Sequence, residues 1–550
     1  MDESCEGSNR KRGGWMTFPF ITGAVSGFSL ASTGMMENVI VYLIKEFNIK
    51  SIAAAQTSNI INGCTSFSPL LAALIADSFL GSFTVASISS FVSLLGTILL
   101  ILSASLKSLR PQPCDDDHGS NPCKSPSSLQ YAILYTALAL TAIGFGGTRF
   151  IMATLGANQF HNKPRDQSVF FNWFFFTLHV GSVASMTIIF YIQTDLSWSL
   201  GFGLCAMANL IAMAFLLFGY PFYRHDRPQG SPFVDMARVL VATSRKWRLS
   251  QSSSSVKDYY YGGNETLPEA TRLRIQNQLA QHKKLMHLVQ FCSFFNRAAL
   301  ITEGDTDSEG RIVKPWRLCS VEQVENLKSI IGILPLWSTT IFLSTPIGVL
   351  TSLAILQAMA MDRHIGPHFQ FPPASVPVAT LISTSITLTL LDRLLYPTWH
   401  KLVGKDPTAL QQIGLGHVFS VLGLAVSAVV EWKRLRTTES LSMSAFWLVP
   451  QFVLVGVGVA FDFPGQVGLY YQEFPESLKS TSTAMISLTI GTGSYLSTAV
   501  IDVVRRSTDW LPDDINDGRI DNMYWLLVVM GGINFGYFLV CASFYKYQRG

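Results

Sequence analysis

About twelve stretches of this 550-residue chain are each long enough, and poor enough in charge, to cross a bilayer as a single helix. They fall near 17–44, 52–76, 83–105, 128–156, 168–193 and 196–219, and then, after a polar gap, near 324–358, 375–396, 412–432, 444–470, 480–504 and 523–546. A backbone N–H or C=O left unpaired in lipid is costly, so runs of this length satisfy their own groups as helices. Charged residues make up 14% of the chain, against about 25% in soluble domains, which is too few to clothe an aqueous surface of this size. The expectation is an all-α, multi-pass membrane protein that lives in the lipid bilayer.

The order of the runs is six, a long loop, six. This divides the chain into an N-terminal segment (1–16), a first six-helix bundle (17–220), a linker loop (221–320) and a second six-helix bundle (321–550). Within the loop, SQSSSSVKDYYYGGNET (250–266) reads as a flexible linker and EATRLRIQNQLAQHKK (269–284) as a charged, solvated helix. Lys and Arg stay preferentially on the cytoplasmic side; Arg10, Lys11 and Arg12 precede the first run and the loop holds many more, which places both termini and the loop in the cytoplasm. The first run is too long for a signal-peptide core and is expected to remain in the membrane. The plasma membrane is the expected address, with the vacuolar membrane as the alternative.

Of the eight cysteines, Cys114 and Cys123 lie together in a loop expected to face outward, where they are a candidate disulfide or two free thiols. The other six stand at no metal-ligand spacing and read as packing residues, so no metal and no cofactor are expected. GFGG (144–147) and GVG (456–458) lack the strand-turn-helix setting of a phosphate loop and read as sites of close helix contact. With no hydrolase or nucleotide motif and a formal charge of +4 spread thinly, neither an enzyme nor a nucleic-acid partner is indicated.

Function then rests on polar groups inside the spans, because a charge at membrane depth is expensive and marks a pathway or a pair. Glu37 in the first run, Arg149 in the fourth and Asp462 in the tenth are single charges among apolar neighbours. Each is a candidate site residue or else half of a structural ion pair. Asp392, Arg393, Asp502, Arg505 and Arg506 lie at span ends and read as interfacial anchors, and His179 and His417 as hydrogen-bonded packing histidines.

The six-loop-six plan, together with FFNWFFFTLHVGS (170–182), LGANQF (155–160), KPWRLCSVEQVENLKSIIGILPLW (314–337), FFNRAAL (294–300) and YQEFPESLKSTSTAM (471–485), resembles the plant nitrate and peptide transporters, the proton-dependent oligopeptide branch of the major facilitator superfamily. GWMTFPF (14–20), KEFNIKSIAAAQ (45–56) and WLPDDINDGRIDNMYW (510–525) look most like its nitrate excretion group. The resemblance implies a major facilitator fold and a central cavity lined chiefly by spans 1, 4, 7 and 10, opened to one side at a time. In IADSFLGS (75–82), Asp77 and Gly81 look like the superfamily's gating motif.

The chain also departs from that family. Proton-coupled members carry Glu-x-x-Glu-Arg in the first span, where this chain reads Gly34-Met35-Met36-Glu37-Asn38. Arg149 stands where Lys is common, and Val459 where a tenth-span Glu is usual, with Asp462 one turn further on. A cavity with one fixed cation and few carboxylates suits a small anionic or polar solute, because the guanidinium fork matches the flat oxygens of nitrate or a carboxylate. The expected function is therefore a low-affinity carrier of nitrate, with chloride second, exporting or facilitating down the gradient. Arg149 and Glu37 would bind the solute, and Glu37 or Asp462 would handle any protons. An aromatic-rich lining (Phe170, Phe171, Trp173 to Phe176) keeps open a larger organic solute such as a glycoside or hormone, and the Ser- and Tyr-rich loop a receptor or scaffold role.

Overall fold

The computed structural model describes residues 13–112, 125–160, 164–224, 232–247, 259–261, 294–307, 311–367, 369–405, 407–437, 443–473 and 479–545. Its longer helices are α1 (Phe18–Met36), α2 (Val39–Phe47), α3 (Ser51–Ile75), α4 (Ser82–Ser105), α5 (Ser128–Asn158), α6 (Pro164–Ala184), α7 (Trp198–Phe218) and α8 (Pro232–Arg245). After the loop come α9 (Val321–Met359), α10 (Val378–Leu390), α11 (Tyr396–Val403), α12 (Ala409–Arg436), α13 (Val449–Glu473), α14 (Lys479–Ser507) and α15 (Ile520–Phe544). Among the described residues ten helices are long and apolar enough to cross a membrane, or eleven when α1 and α2, bent by 41°, count as one broken span. The remaining expected run, 480–504, is α14, whose 29 residues reach across a bilayer but are rich in Ser, Thr and Gly.

Local chemistry sets the ends. Ser127 and Gln130 form a reciprocal capping box at the start of α5, and Thr408 and Gln411 do the same for α12, so each pair satisfies N-terminal donors that lipid and protein leave without water. Between α3 and α4 the chain passes through one π turn, Ala76–Leu80, and then through Gly81 at φ 76°, ψ 156°. Residues with a Cβ are essentially excluded from that backbone region, so glycine is required for α4 to restart at once.

By internal contacts the chain separates into two compact units. The first comprises Met1–Pro228, Leu336–Leu469 and Thr483–Lys546, and the second Gln229–Pro335, Tyr470–Ser482 and Tyr547–Gly550. In the first, a continuous apolar core joins both halves of the sequence, bringing Tyr42, Phe47 and Ile52 together with Val349, Leu353, Ile501 and Leu511. At that end Lys50 reaches Asp513 at 2.5 Å, and Asp513 also accepts from Arg505 at 2.7 Å.

The second unit revises the picture of the loop as a solvated tether. Its described part has its own core, in which Val239 and Ala242 of α8 pack with Phe295, Ala298, Ala299, Cys319, Val324 and Leu327. Tyr259–Tyr261 is stitched in by Tyr260 N–H to Ala299 O at 2.9 Å and Val321 N–H to Tyr260 O at 2.9 Å. At its centre Lys246 (2% exposed) meets Asp305 (0% exposed) at 2.9 Å. Burial alone would raise the Asp305 pKa, but hydrogen bonds from Thr302 and Lys246 hold it below the ordinary carboxylate range. The rest of 250–266, and all of 269–284, lie outside the described residues.

Candidate functional site

The first transmembrane run is not one helix. It breaks at Glu37-Asn38, between α1 and α2, and Gln193 from the π turn after α6 closes the break. The Gln193 amide donates to Gly34 O at 2.8 Å on one side of the break and accepts from Asn38 Nδ2 at 2.8 Å on the other. A polar ladder continues down the α1–α6 contact: Ser29 donates to Leu178 O at 2.6 Å, and Ser182 meets both Ser29 (3.0 Å) and Thr33 (3.1 Å). Glu37 stands at the top of this ladder, one turn beyond Thr33, whose carbonyl accepts the Glu37 N–H at 3.1 Å.

Arg149 enters from α5. That helix lies close against α3 and α4 because it carries glycines: a Cβ on Gly144 would stand 2.3 Å from Ser93 N, one on Gly146 2.3 Å from Thr65 O, and one on Gly147 2.4 Å from Ser89 Oγ. The Arg149 side chain is exposed, on a helix that packs closely against α3 and α4. Glu37 and Arg149 are within electrostatic reach of one another. Among the described residues neither side chain makes a hydrogen bond or a direct ion pair.

Asp462 is placed elsewhere. Gly416 of α12 packs against it so closely that a Cβ there would stand 2.6 Å from Asp462 Cβ, and Gln466 donates to Asp462 Oδ2 at 2.6 Å. Asp462 Oδ1 and Gln466 Oε1 are buried with no partner, beside the helix-breaking Pro464. Of the three intramembrane charges, Asp462 is thus seated in a helix contact of its own. His417 is fully buried, bonded through Nδ1 to Ile413 O at 3.0 Å and stacked on Phe538 at 4.8 Å, a packing histidine. His179 is half-buried on α6 and bonded through Nδ1 to Phe175 O at 2.7 Å.

Of the span-end charges, Arg505 pairs with Asp513 and Arg506 with Asp502 at 3.0 Å. Gly81 terminates its π turn as described, whereas the side chain of Asp77, and both Cys114 and Cys123, lie outside the described residues.

One constellation escaped the sequence reading. Glu431 (0% exposed) and Arg434 (1% exposed) form a bidentate pair at 2.7 and 2.8 Å on α12. Gln357 donates to Glu431 at 2.6 Å, Tyr524 donates to Gln357 at 2.8 Å, and Arg434 donates to Asn516 at 2.7 Å, so α9, α12, α15 and the 508–519 loop share one buried network. In the sequence the two charges look like an i,i+3 surface pair at a span end; only the spacing of Gln357 and Tyr524 on two other helices could have hinted otherwise.

The sequence profile of the POT family matches residues 83–517. The chain belongs to the POT family. Among curated relatives, the Arabidopsis thaliana proteins NRT1/ PTR FAMILY 2.3 and 2.7 are 49% and 48% identical to it, covering 98% and 99% of this chain and 94% and 95% of their own lengths. Among solved structures, an auto-inhibited POT family peptide transporter superposes with a TM-score of 0.70 at 17% identity, covering 97% of this chain and 98% of its own. The POT family transporter PepTSo superposes equally well, at 0.70 and 17% identity, over 96% of this chain. The fold is thus that of an all-α membrane transporter, and the POT family is a family of transporters rather than an enzyme class. Glu37 and Arg149 accordingly lie within the helices of a multi-pass membrane transporter.

Proposed function

We propose that the protein carries small anions across the membrane, nitrate first and chloride second, at low affinity and down their electrochemical gradient. The supporting observation is Arg149: a guanidinium embedded in protein, accessible to solvent, coupled to one carboxylate and bonded to nothing among the described residues. Such a group strongly favours an anionic acceptor, and its fixed charge and planar fork suit flat oxyanions better than a peptide, whose amino end needs a carboxylate partner.

Glu37 serves as the counter-charge of the empty site. When an anion binds, the carboxylate is displaced electrostatically or neutralised by a proton, and when the anion leaves it restores the balance of charge. Asp462, with its orphaned Oδ1, is a second carboxylate on which a proton can travel. Solute exposure alternates by rocking of the two six-helix bundles, 17–220 against 321–550. A second reading, a larger organic solute, draws support from the edge-to-face pair Phe175 and Phe463, which joins α6 to α13 with ring centroids 6.0 Å apart.

The test is labelled-nitrate flux into liposomes holding the purified protein, with the membrane potential clamped. Loss of a bidentate charged contact is worth about 3 kcal/mol, so Arg149→Ala is expected to lower flux about 100-fold at equal protein content. Full transport by that variant sinks the proposal. Wild-type nitrate flux inhibited by glycosides but not by chloride would move the assignment to the second reading.

A further inference from the structure

We infer that the loop part of the second unit, Gln229–Pro335, carries a docking face for an anionic bilayer surface, centred on a groove between α8 and Phe294. The inference does not depend on which solute is carried.

α8 divides its residues between two faces. Val239 and Ala242 turn into the unit's own core, and Lys246 just beyond the helix follows them to meet Asp305. Leu240, Thr243 and Ser244, spaced three and four apart, share a different face. With Trp247 on the turn that follows, they form one bank of an open groove of about 410 Å³, and Phe294 and Phe295 form the other. Leu240 is 49% exposed, Trp247 58% and Phe294 37%. Three large apolar side chains set side by side are costly in water, whereas an aromatic ring at the boundary between headgroups and acyl chains is favoured.

The rim of the groove is cationic. Arg297 lies over the Phe294 ring, 4.8 Å from its centroid, and donates to Trp247 O at 2.7 Å, which ties the two banks together. Arg245, exposed on the last turn of α8, donates to Trp316 O at 3.4 Å. Neither guanidinium meets a carboxylate among the described residues, whereas Arg238, two turns earlier, is paired with Asp235 at 3.0 Å. None of the six lining residues is acidic. Two uncompensated arginines beside an apolar groove are complementary to anionic headgroups lying over acyl chains, and this combination favours a lipid surface over a purely apolar peptide.

The unit is also held at the right height. Val324 and Leu327 of α9 belong to its core, and Lys328 is the last charged residue of that helix. The uncharged run that follows, 329–359, extends about 46 Å at about 1.5 Å per residue. That length matches a bilayer of about 40–45 Å with its headgroups, so the run opens at headgroup level and the unit's core stands beside it. The Lys and Arg pattern of the sequence assigns this unit to the cytoplasm, whose leaflet is the anionic one.

The experiment follows a bimane label on Ser244→Cys in the full-length protein, reconstituted into nanodiscs of phosphatidylcholine alone or with about one-third phosphatidylserine. Wild type labelled in parallel supplies the signal of the native cysteines. Part of the phosphatidylcholine carries a nitroxide on the acyl chain just below the headgroup. With phosphatidylserine present, the label is expected to shift to the blue and to be quenched by the nitroxide; in phosphatidylcholine alone both effects should be weaker. Arg245→Gln combined with Arg297→Gln should lower the ratio of docked to undocked unit about 30-fold. Leu240→Glu, which alters an exposed side chain and leaves both arginines in place, should undock the face as well, with residues 229–335 as resistant to protease as in wild type. A label that is unshifted and unquenched in both bilayers overturns the inference. A blue-shifted label that the lipid nitroxide does not quench also overturns it, since protein then covers the groove. Quenching that is equal in the two bilayers and survives both variants does the same, because the contact is then neither selective for charge nor made by this face.

Discussion

Two buried charge clusters sit in the same protein and behave as opposites. In the Glu431–Arg434 network every strong donor and acceptor has a partner, and the pair is bidentate and inaccessible. Glu37 and Arg149 make no hydrogen bond or ion pair among the described residues, and the Arg149 side chain is exposed. A transmembrane charge is costly in either setting. Where the cost is offset within the fold, the residues hold helices together. Where it is left standing, as at Arg149, we propose that the missing partner comes from outside. The difference is set by what surrounds each arginine and not by the arginine itself.

The comparison is broken most directly by deleting the closed arginine. Arg434→Met strands the buried Glu431 carboxylate and is expected to cost about 3–5 kcal/mol, read as a marked drop in melting temperature of the purified protein. Arg149→Met should leave that temperature within the range of a surface substitution while abolishing flux; a large destabilisation would show that Arg149 is structural after all.

A smaller effect concerns the pair in the loop unit. Lys246→Met removes the buried one of the two cations paired with Asp305, the other being Arg317 at 3.3 Å, and should destabilise that unit by about 3 kcal/mol, seen as faster proteolysis between residues 229 and 335 of the intact protein. The sign of the pH effect follows from Asp305. Its folded pKa is depressed, so its contribution is fully present above the unfolded carboxylate value of about 3.9 and fades as pH falls through the lower folded value. Wild-type protection that is constant from pH 7 to 5 and declines below pH 4 is expected, and Lys246→Met should flatten that decline. Smaller still, Gly81→Ala forces a Cβ into a region reserved for glycine and should cost about 1–3 kcal/mol, visible as a lower melting temperature with solute affinity kept.

The spans were legible in the sequence because lipid permits few solutions for an apolar run, and each of the twelve expected runs finds a helix or a broken helix. Glu37 and Arg149 stood out for the same reason: a lone charge in such a run has no ordinary explanation. Their separation from Asp462 was not legible, because helical spacing gives a face but not the neighbour that fills it, and here the neighbour is Gly416. Gln193 gave a weak signal, since an amide in a span is cheap enough to pass as packing. The loop misled for another reason. Its polar composition resembles a tether, while its core rests on a few residues such as Val239, Phe295 and Cys319, spread over a long stretch of sequence.

The joint at Glu37-Asn38 has a mechanical consequence. Gln193 grips the carbonyl below the bend and the side chain above it, so the two arms of the first span cannot change angle without shearing one of those bonds. The knee is locked, and it is locked to the helix that bears His179. Any stroke of the first span must therefore be transmitted as a rigid crank that drags the Gln193 turn with it.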